Sequence, residues 1–422
     1  MKIERLSEID RKTLFMRGAN TPQVGATVAP IVADVAARGD EAVLDYTERF
    51  DGVRPETLEV PEAEWDAALS RLDPELREAM ETSAQNIRAY HGKQVRTGYE
   101  MGEGGVVLGE LITPIASVGL YIPGGTAAYP STVFMNAIPA KLAGCGEIVM
   151  VSPPGKDGRI PDAILAAARL SGVTRVFRCG GAQAIAALAF GTQSVPRVDK
   201  IVGPGNAFVA EAKRQVFGRV AIDMIAGPSE ILVLADGGAN PAWVAADLLS
   251  QAEHDRMATA VLVTVSQELA EAVSEEVERQ LRALPREAIA RASIESNGRI
   301  IVAETLEEAL EAANELAPEH LELCTADPEA LLPKVRNAGS VFMGYCCPES
   351  LGDYMAGPNH TLPTSGTARF SSALGVDDFI KRIQYTRYTK EALGALAPKI
   401  AAFARAEGLE AHARAALIRG EA

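Results

Sequence analysis

The fold is decided by residues 115–172, which read IASVGLYIPGG (115–125), STVFMNAIPAKLAG (131–144), EIVMVSPPG (147–155) and PDAILAAARLSG (161–172). Short apolar runs that end in Gly or Pro turns alternate there with longer Ala-rich segments. The same alternation continues in TRVFRCGG (174–181), AQAIAALAFGT (182–192) and DKIVGPG (199–205). Continuous apolar strands separated by helices are typical of a parallel sheet that helices cover on both faces. This part of the chain therefore predicts a Rossmann-like βα domain.

A second set of strands and helices follows, with strands predicted at TAVLVTVS (259–266), RIIVAE (299–304), HLELCTA (320–326) and SVFMG (340–344). Apolar residues at three-to-four spacing predict helices before residue 104, and the Ala-rich sequence after Asp377 predicts a helical tail. We predict an α/β fold with two Rossmann-like, incomplete doubly wound βα domains, a helical N-terminal segment and a helical C-terminal tail. The predicted divisions are 1–20 for the N-terminal segment, 21–118 with 230–372 for a large α/β domain, 119–229 for the first βα domain and 373–422 for the tail.

Composition narrows the class of protein. The 422 residues are 47% hydrophobic and 23% charged, which is ordinary for a globular enzyme and excludes wholesale disorder. A net charge of −15 argues against nucleic acid or an anionic membrane as a partner. The charged N-terminal MKIERLSEID has no signal-peptide core, and the five cysteines form no C-x-x-C pair. We therefore expect a cytoplasmic enzyme.

Four of the five histidines lie in polar contexts of their own. In SQAEHD, Gln251 and His254 are three residues apart, so both project from one face of the predicted helix and can reach one ion. A solvated helix end has the same pattern, and the residues alone leave both interpretations open. In APEHLE, Glu319 and His320 are adjacent at an element boundary, which suits two proton transfers or, equally, a histidine at a helix end.

The remaining candidates are spread along the chain. Asp353 and His360 lie in a stretch from Cys346 to Ser372 that is rich in turn formers, which predicts a long functional loop. Glu407 and His412 lie near the chain end. If Gln251, His254, Asp353 and His412 converged on one zinc ion, a single charged ligand would leave the site with a net charge of about +1, able to accept substrate nitrogen or oxygen.

The glycine turns give weaker signals. GPGNAF follows a strand and opens a helix, but it lacks the third Gly of a dinucleotide-binding fingerprint. YIPGGT and CGGAQAI are similar turns at strand ends, and Ser229 of the GPSE turn can simply cap that turn. Taken singly, none of these turns requires a ligand.

Taken together, eight ordered motifs resemble those of the histidinol dehydrogenase family, over a range from about Leu6 to Arg419. They are YIPGG (121–125), GGAQAIAALAFGT (180–192), VDKIVGPGN (198–206), IDMIAGPSE (222–230), SQAEHD (250–255), APEHLE (317–322), LGDYMAGPNHTLPTSGTARFSS (351–372) and EGLEAHARA (407–415). The resemblance implies an NAD-dependent homodimer with one zinc ion per subunit. Such an enzyme oxidises L-histidinol to L-histidinal and then to L-histidine, using two NAD⁺.

The resemblance also implies roles for individual residues. The matched zinc ligands are Gln251, His254, Asp353 and His412, and the matched acid/base pair is Glu319 and His320. His320 would take the hydroxyl proton, and Glu319 would activate water for the second oxidation. The implied substrate contacts are Ser229, His360, Glu407, His320 and the four zinc ligands, and the implied NAD contacts are Tyr121, Gln183 and Asn206. The tail is implied to cross the dimer, so that Glu407 and His412 complete the partner's site.

Three other readings compete with this one. A relative of the family oxidises a sulfonated diol, but a carboxylate at Glu407 would repel a sulfonate. The same ligands could form a zinc hydrolase in which Glu319 is the base. The third alternative is a fold that only binds a nucleotide. It is opposed by the presence of all four ligand types and of the Glu–His pair.

Overall fold

The computed structural model describes residues 1–10, 24–124 and 128–421. Contacts divide the chain into two units: the first is Met1–Gln94 with Ala116–Asp378, and the second is Val95–Ile115 with Phe379–Ala422. Residues 11–20 of the predicted N-terminal segment lie outside the described residues, as does Gly125 of the YIPGG turn. The domain boundaries given by the sequence stay a prediction.

The strands are, in chain order, β1 (Lys2–Arg5), β2 (Tyr99–Met101), β3 (Val106–Pro114), β4 (Ser117–Tyr121), β5 (Glu147–Ser152), β6 (Arg175–Arg178), β7 (Lys200–Val202), β8 (Ala221–Ile222), β9 (Glu230–Ala235), β10 (Thr259–Thr264), β11 (Arg299–Val302), β12 (His320–Cys324), β13 (Ser340–Met343) and β14 (Ile380–Tyr388). They form two parallel sheets in the first unit and one antiparallel sheet in the second.

The α-helices of the described residues are α1 (Gly25–Arg38), α2 (Asp40–Asp51), α3 (Glu62–Arg71), α4 (Pro74–His91), α5 (Pro130–Ala143), α6 (Asp162–Ser171), α7 (Gly181–Phe190), α8 (Ala207–Val216), α9 (Pro241–Ala252), α10 (Gln267–Leu281), α11 (Glu287–Asn297), α12 (Leu306–Leu316), α13 (Pro328–Leu331), α14 (Glu349–Tyr354), α15 (Lys390–Ala406) and α16 (Glu410–Glu421). The predicted α/β fold, with parallel sheets and helices towards both ends of the chain, is confirmed.

The larger sheet has the strand order β1-β11-β10-β9-β12-β13, with every pair parallel. The chain winds outward from β9 through β10 and β11, then returns to the other side of β9 as β12. Side chains of β9 alternate between two cores: Ile231 and Val233 pack with α9 and α10, while Leu232 and Leu234 pack with α12. Burial on both faces explains why these strands are continuously apolar.

The smaller sheet has the order β6-β5-β4-β7-β8 and is also parallel. Its winding reverses between β4 and β7, the position at which doubly wound sheets usually bind nucleotides. Helices α1 and α2 pack on this sheet, since Val28 and Val43 share a core with Val149, Phe177 and other residues of the sheet and its helices.

The second unit combines the antiparallel sheet β14-β3-β2 with the hairpin of α15 and α16. The helices of the predicted tail begin at Lys390, whereas Ile380–Tyr388 forms a strand that pairs with β3 along its whole length. The sequence IKRIQYTRY places β-branched and aromatic residues at intervals typical of a strand, and pairing with β3 satisfies its backbone.

Candidate active site

His320 is the first residue of β12 and is buried. Its Nδ1 atom lies 2.9 Å from the carbonyl oxygen of Glu230. A carbonyl can only accept, so Nδ1 carries the proton and Nε2 keeps a free electron pair. Nε2 is buried, and none of the residues that the structure describes forms a hydrogen bond with it. Burial lowers the pKa of His320 to about 4, which keeps the imidazole neutral and able to accept a proton.

Glu319 precedes His320 and lies on the Nδ1 side of its ring, with Oε2 3.7 Å from Nδ1. The same oxygen accepts a hydrogen bond of 2.9 Å from the backbone N–H of Glu230. Burial, and then the charges of Glu230 and other nearby carboxylates, raise the pKa of Glu319 well above its usual range, against the opposing effect of that N–H. The predicted pair therefore has two different environments: the pKa of the imidazole is lowered, so it stays neutral and can accept a proton, and the pKa of the carboxyl group is raised, so its carboxylate form is a stronger base than usual.

Gln251 occupies the last turn of α9, which ends at Ala252, so His254 lies just beyond the helix on whose face the spacing in SQAEHD was expected to place both residues. Gln251 is 1% exposed, and in the described part of the chain its Oε1 has no hydrogen-bond partner. His254 is exposed, but its charge affects the pKa values of both His320 and Asp353. His254 therefore lies close enough to His320 and Asp353 to influence both of them.

Asp353 lies on α14, and its Oδ1 is 3.3 Å from Nδ1 of His360. Burial alone would raise the pKa of Asp353, but the hydrogen bond and charge of His360 outweigh it and lower the pKa to about 2. Nε2 of His360 lies 3.4 Å from the hydroxyl of Thr132 on α5. His360 thus connects Asp353 to the helix that follows β4 of the smaller sheet.

Glu349 was not found by sequence reasoning, although it is central to the site. Its Oε2 accepts a 3.2 Å hydrogen bond from the hydroxyl of Ser250, and its Oε1 lies 3.6 Å from Nε2 of His320. Burial and the neighbouring Asp353 raise the pKa of Glu349 to about 8. Ligand atoms of His320, Glu349 and Asp353 all lie within 4.8 Å of one another, close enough to hold one metal ion. This group shares Asp353 with the predicted ligand set.

One signal could have identified Glu349. Glu349 and Asp353 are four residues apart, which places both on one face of a helix. The segment from Cys346 to Ser372 was predicted to be a loop because of its many Gly, Pro and Ser residues, and this is wrong for Glu349–Tyr354, which forms α14. A similar signal marks Glu322, which shares with His320 one face of β12 by the alternation of strand side chains.

A cavity of about 70 Å³ links the two parallel sheets. Ser229, Glu319 and His360 line it together with Gly203 and Pro204 of the GPGN turn. The GPGN turn follows the carboxyl end of β7, whereas Ser229 and Glu319 precede the amino ends of β9 and β12. The site therefore lies between the carboxyl edge of one sheet and the amino edge of the other.

The GPGN turn is fixed by a buried ion pair. Lys213 and Asp223 are in contact and almost wholly buried. Asp223 accepts a 2.8 Å hydrogen bond from the N–H of Gly203, and Lys213 donates one of 3.1 Å to its carbonyl oxygen. A Cβ on Gly203 would meet the backbone oxygen of Tyr121 at 2.2 Å, so only glycine allows this approach.

The three predicted cofactor residues lie in turns at the carboxyl edge of the smaller sheet. Tyr121 ends β4, and its buried hydroxyl accepts a 3.1 Å hydrogen bond from the N–H of Gly181. Gln183 lies in the first turn of α7, and its buried Oε1 has no hydrogen-bond partner among the described residues. Asn206 caps α8 through bonds to the N–H groups of Phe208 and Val209. These turns offer backbone and amide groups to a dinucleotide.

The last two predicted residues belong to the second unit. Glu407 follows α15, and His412 is exposed in the first turn of α16. Their roles as substrate contact and metal ligand stay predictions.

The family model for histidinol dehydrogenase matches residues 16–420. A curated histidinol dehydrogenase of Geobacillus kaustophilus (strain HTA426) is 56% identical over 100% of this chain and 99% of the relative. The chain belongs to the histidinol dehydrogenase family. It is thus an oxidoreductase of a family that uses NAD.

Solved structures agree with this assignment. The crystal structure of the histidinol dehydrogenase from Elizabethkingia anophelis has a TM-score of 0.94 and 40% identity, covering 99% of this chain and 96% of that one. An acetylating aldehyde dehydrogenase from Geobacillus thermoglucosidasius has a TM-score of 0.51 and 15% identity over 90% of this chain and 96% of that one, which shows a shared fold alone. Among the described residues of this family member, every helix is too short or too polar to cross a membrane.

Proposed function

We propose that the chain oxidises L-histidinol through L-histidinal to L-histidine with two NAD⁺. The observation that carries this proposal is the cavity between the sheets, where Gly203 and Pro204 of a cofactor-type turn face Glu319 and Ser229. A hydride donor and a nicotinamide must approach closely for transfer, and this cavity lies where both can be held. The 56% identity to a curated histidinol dehydrogenase supports the same substrate.

We infer that zinc is held by Gln251, His254 and Asp353 together with His412. The three residues of the first unit are chemically suited to this role. The buried Oε1 of Gln251 has no partner within the described residues, and a cation would satisfy it. Asp353 supplies the charge, and the imidazole of His254 is a ligand type that zinc favours. When bound, a zinc ion in such a set attracts the substrate's nitrogen atoms and orients its alcohol group.

The protein residues then move the protons. Nε2 of His320 has a free electron pair, so it accepts the hydroxyl proton in each oxidation step. NAD⁺, when bound, accepts the hydride from the substrate carbon. Glu319 takes a proton from the water that attacks the aldehyde. The raised pKa of Glu319 makes its carboxylate a stronger base than an ordinary glutamate.

The remaining residues hold the substrate. Ser229 and His360 line the same cavity as Glu319 and are positioned to donate or accept hydrogen bonds there. Glu407 suits a cationic amine or imidazole. We assign Glu407 and His412 to the active site of a partner subunit, so that the enzyme is a homodimer with shared sites. The five cysteines form no C-x-x-C pair, which supports a reducing cytoplasmic location.

Turnover with L-histidinol and NAD⁺ tests the proposal directly. Formation of two reduced cofactors for each histidine, at a rate that a zinc chelator abolishes, is the expected result. A hydrolase would form no reduced cofactor, and preferential turnover of a sulfonated diol would indicate the other substrate class.

Mixing inactive subunits tests the shared site. A His412→Asn subunit and a His320→Asn subunit are each expected to be inactive as homodimers. In a mixed dimer, the intact tail of one subunit would serve the intact His320 of the other, so random exchange should restore about a quarter of wild-type activity. If the tail served its own subunit, mixing would restore nothing.

A further inference from the structure

Asp223 lies where two turns meet at the cavity between the sheets. The strands β7 and β8 are parallel neighbours, so the GPGN turn (203–206) after β7 and the segment 223–229 after β8 start at the same edge of the smaller sheet. Gly203 lines the cavity, and so do Asp223 and Ser229. The cofactor-type turn and the turn that leads to the larger sheet therefore adjoin at Asp223.

The carboxylate of Asp223 is bonded to both parts of the chain, with one oxygen for each. Its Oδ2 accepts a 2.8 Å hydrogen bond from the N–H of Gly203, and its Oδ1 accepts one of 2.6 Å from the N–H of Met224. The backbone N–H of Asp223 donates a 3.2 Å bond to the carbonyl oxygen of Ile201 on β7. Because the carboxylate is planar and rigid, these bonds fix the direction of the Gly203 N–H relative to the start of the next segment.

Lys213 on α8 holds this carboxylate in place. Its Nζ contacts Oδ1 of Asp223 and donates a 3.1 Å bond to the carbonyl oxygen of Gly203. The two side chains are only 2% and 1% exposed. A buried ion pair loses its hydration, and apolar side chains of similar volume are often as stable in its place. The pair therefore contributes orientation more than stability, because it bonds both the N–H and the carbonyl group of Gly203.

The far end of the segment is fixed to the acid/base pair. The segment ends at Glu230, the first residue of β9. Its backbone N–H donates a 2.9 Å bond to Oε2 of Glu319, and its carbonyl oxygen lies 2.9 Å from Nδ1 of His320. The chain from Asp223 to Glu230 thus connects the GPGN turn to both proposed catalytic residues, with hydrogen bonds at each end.

We propose that Lys213 and Asp223 are positioning residues for hydride transfer, which set the separation between the GPGN turn and the acid/base pair. The inference rests on the proposed function and adds two residues to which the sequence gave no role. Reacting atoms must approach to about 3–3.5 Å, and a displacement of about 1 Å can slow a reaction about 100-fold. The ion pair acts through the turns and takes no part in the proton transfers.

A double substitution tests this role without leaving a lone buried charge, which would be strongly destabilising. Lys213→Met/Asp223→Asn nearly preserves the volume and removes both charges, and the single oxygen of Asn can accept from only one of the two N–H groups. The matched control is Lys200→Met/Asp378→Asn. Nζ of Lys200 lies 3.2 Å from Oδ1 of Asp378, and Lys200 begins β7 at the end opposite the GPGN turn.

Hydride transfer is measured in a single turnover, with full-length enzyme in excess over L-histidinol and with saturating NAD⁺. Unfolded molecules lower the amplitude of cofactor reduction but leave its rate constant unchanged. The rate constant of the first reduction is expected to fall about 10- to 100-fold in Lys213→Met/Asp223→Asn and to stay within about threefold of wild type in the control. A lower amplitude with a normal rate constant would indicate a merely structural role and overturn the proposal, as would equal losses in both variants.

Hydrogen exchange of the cofactor-free enzymes gives a second readout that does not depend on activity. The peptide that contains residues 199–208 should exchange faster in Lys213→Met/Asp223→Asn than in wild type, and at the wild-type rate in the control. Unchanged exchange in both variants would overturn the proposal. A wild-type enzyme that fails to reduce NAD⁺ with L-histidinol would refute the proposed function and this inference with it, whereas an active wild type with an equally fast double variant would refute only the positioning role.

Discussion

The two ring nitrogens of His320 face different groups: Nδ1 lies 2.9 Å from the backbone oxygen of Glu230, and Nε2 lies 3.6 Å from Oε1 of Glu349. The first contact belongs to the backbone and does not depend on ionisation. It fixes both the tautomer and the direction of the ring. The basic nitrogen is thereby held towards the side chains that gather around Glu349 and Asp353.

This relationship predicts the protonation state of His320 in the metal-free protein. Burial disfavours the charged ring and lowers its pKa to about 4, so the neutral form with a proton on Nδ1 should persist at and above about pH 5. Nitrogen-15 spectra of histidine-labelled protein measure this, and the five histidines make assignment by comparison with His320→Gln simple. A titration near the ordinary value of about 6.5, or a proton on Nε2, would contradict the prediction.

Glu319→Gln should affect the second oxidation more than the first. The amide cannot take a proton from water, so conversion of L-histidinal to L-histidine should fall by at least about 100-fold, the usual size of a general-base contribution. Rapid-quench analysis that follows each product separately provides the measurement. Normal conversion of aldehyde to acid in this variant would remove Glu319 from the water-activating role.

Gly203→Ala should weaken NAD⁺ binding without removing zinc. The new Cβ would overlap the backbone oxygen of Tyr121 at 2.2 Å, which forces the GPGN turn away from β4. We expect the dissociation constant of NAD⁺ to rise about tenfold or more, because a shift of about 1 Å in a binding group has effects of that order or larger. Calorimetric titration measures the affinity, and metal analysis checks the zinc content.

A suitable control for that substitution is Gly394→Ala, since a Cβ on Gly394 meets nothing within 4 Å. Its NAD⁺ affinity should equal that of wild type. If both variants bound NAD⁺ normally, the proposed role of the GPGN turn would have to be abandoned.

The sequence predicted the parallel sheets because their strands are buried on both faces and are therefore continuously apolar. It also predicted that a helix ends near Gln251 and His254, although α9 ends at Ala252 and His254 lies beyond it. What it did not predict is the edge of the sheet that carries the chemistry. Nucleotide sites of doubly wound sheets lie at carboxyl edges, yet Glu319 and His320 lie at the amino end of β12. Which edges meet depends on the packing between the two sheets, and this packing cannot be predicted from the local sequence pattern.

The contacts of the buried acidic residues also could not be predicted from the local sequence pattern. Glu349 and Glu322 lie 27 residues apart, and their bond forms only because the first residue of α14 packs against β12. Composition favoured a loop there, since six residues of helix between glycine-rich segments give little periodicity. Tertiary contacts, rather than helix propensity, stabilise such a short helix.

Glu322 is predicted to anchor α14. Glu322→Ala would leave the N–H of Glu349 buried without an acceptor, which should cost about 1–3 kcal/mol of unfolding free energy. Glu322→Gln keeps an acceptor for that N–H, and burial already raises the pKa of Glu322 well above its usual range, so little charge is lost and its stability should be close to that of wild type. Chemical denaturation of the two variants compares them, and equal losses in both would show that the charge, not the hydrogen bond, holds the helix.

His91 is predicted to make stability depend on pH, although it lies outside the active site. It is fully buried at the end of α4, where Nδ1 lies 2.8 Å from Oε1 of Gln94 and burial lowers the pKa of the ring. Below about pH 6.5 the unfolded chain binds a proton at this ring that the folded protein does not, so the stability falls as the pH falls.

The contribution from His91 has an upper limit of about 1.4 kcal/mol per pH unit, the value for one proton. His91→Asn keeps a donor for Gln94 and removes the titrating ring, so its unfolding free energy should fall less than that of wild type between pH 7.5 and 5.5. Both proteins are compared without metal, because protonation of ligands would otherwise add its own pH dependence. Identical slopes in the two proteins would mean that His91 is protonated equally in the folded and unfolded states, contrary to its burial.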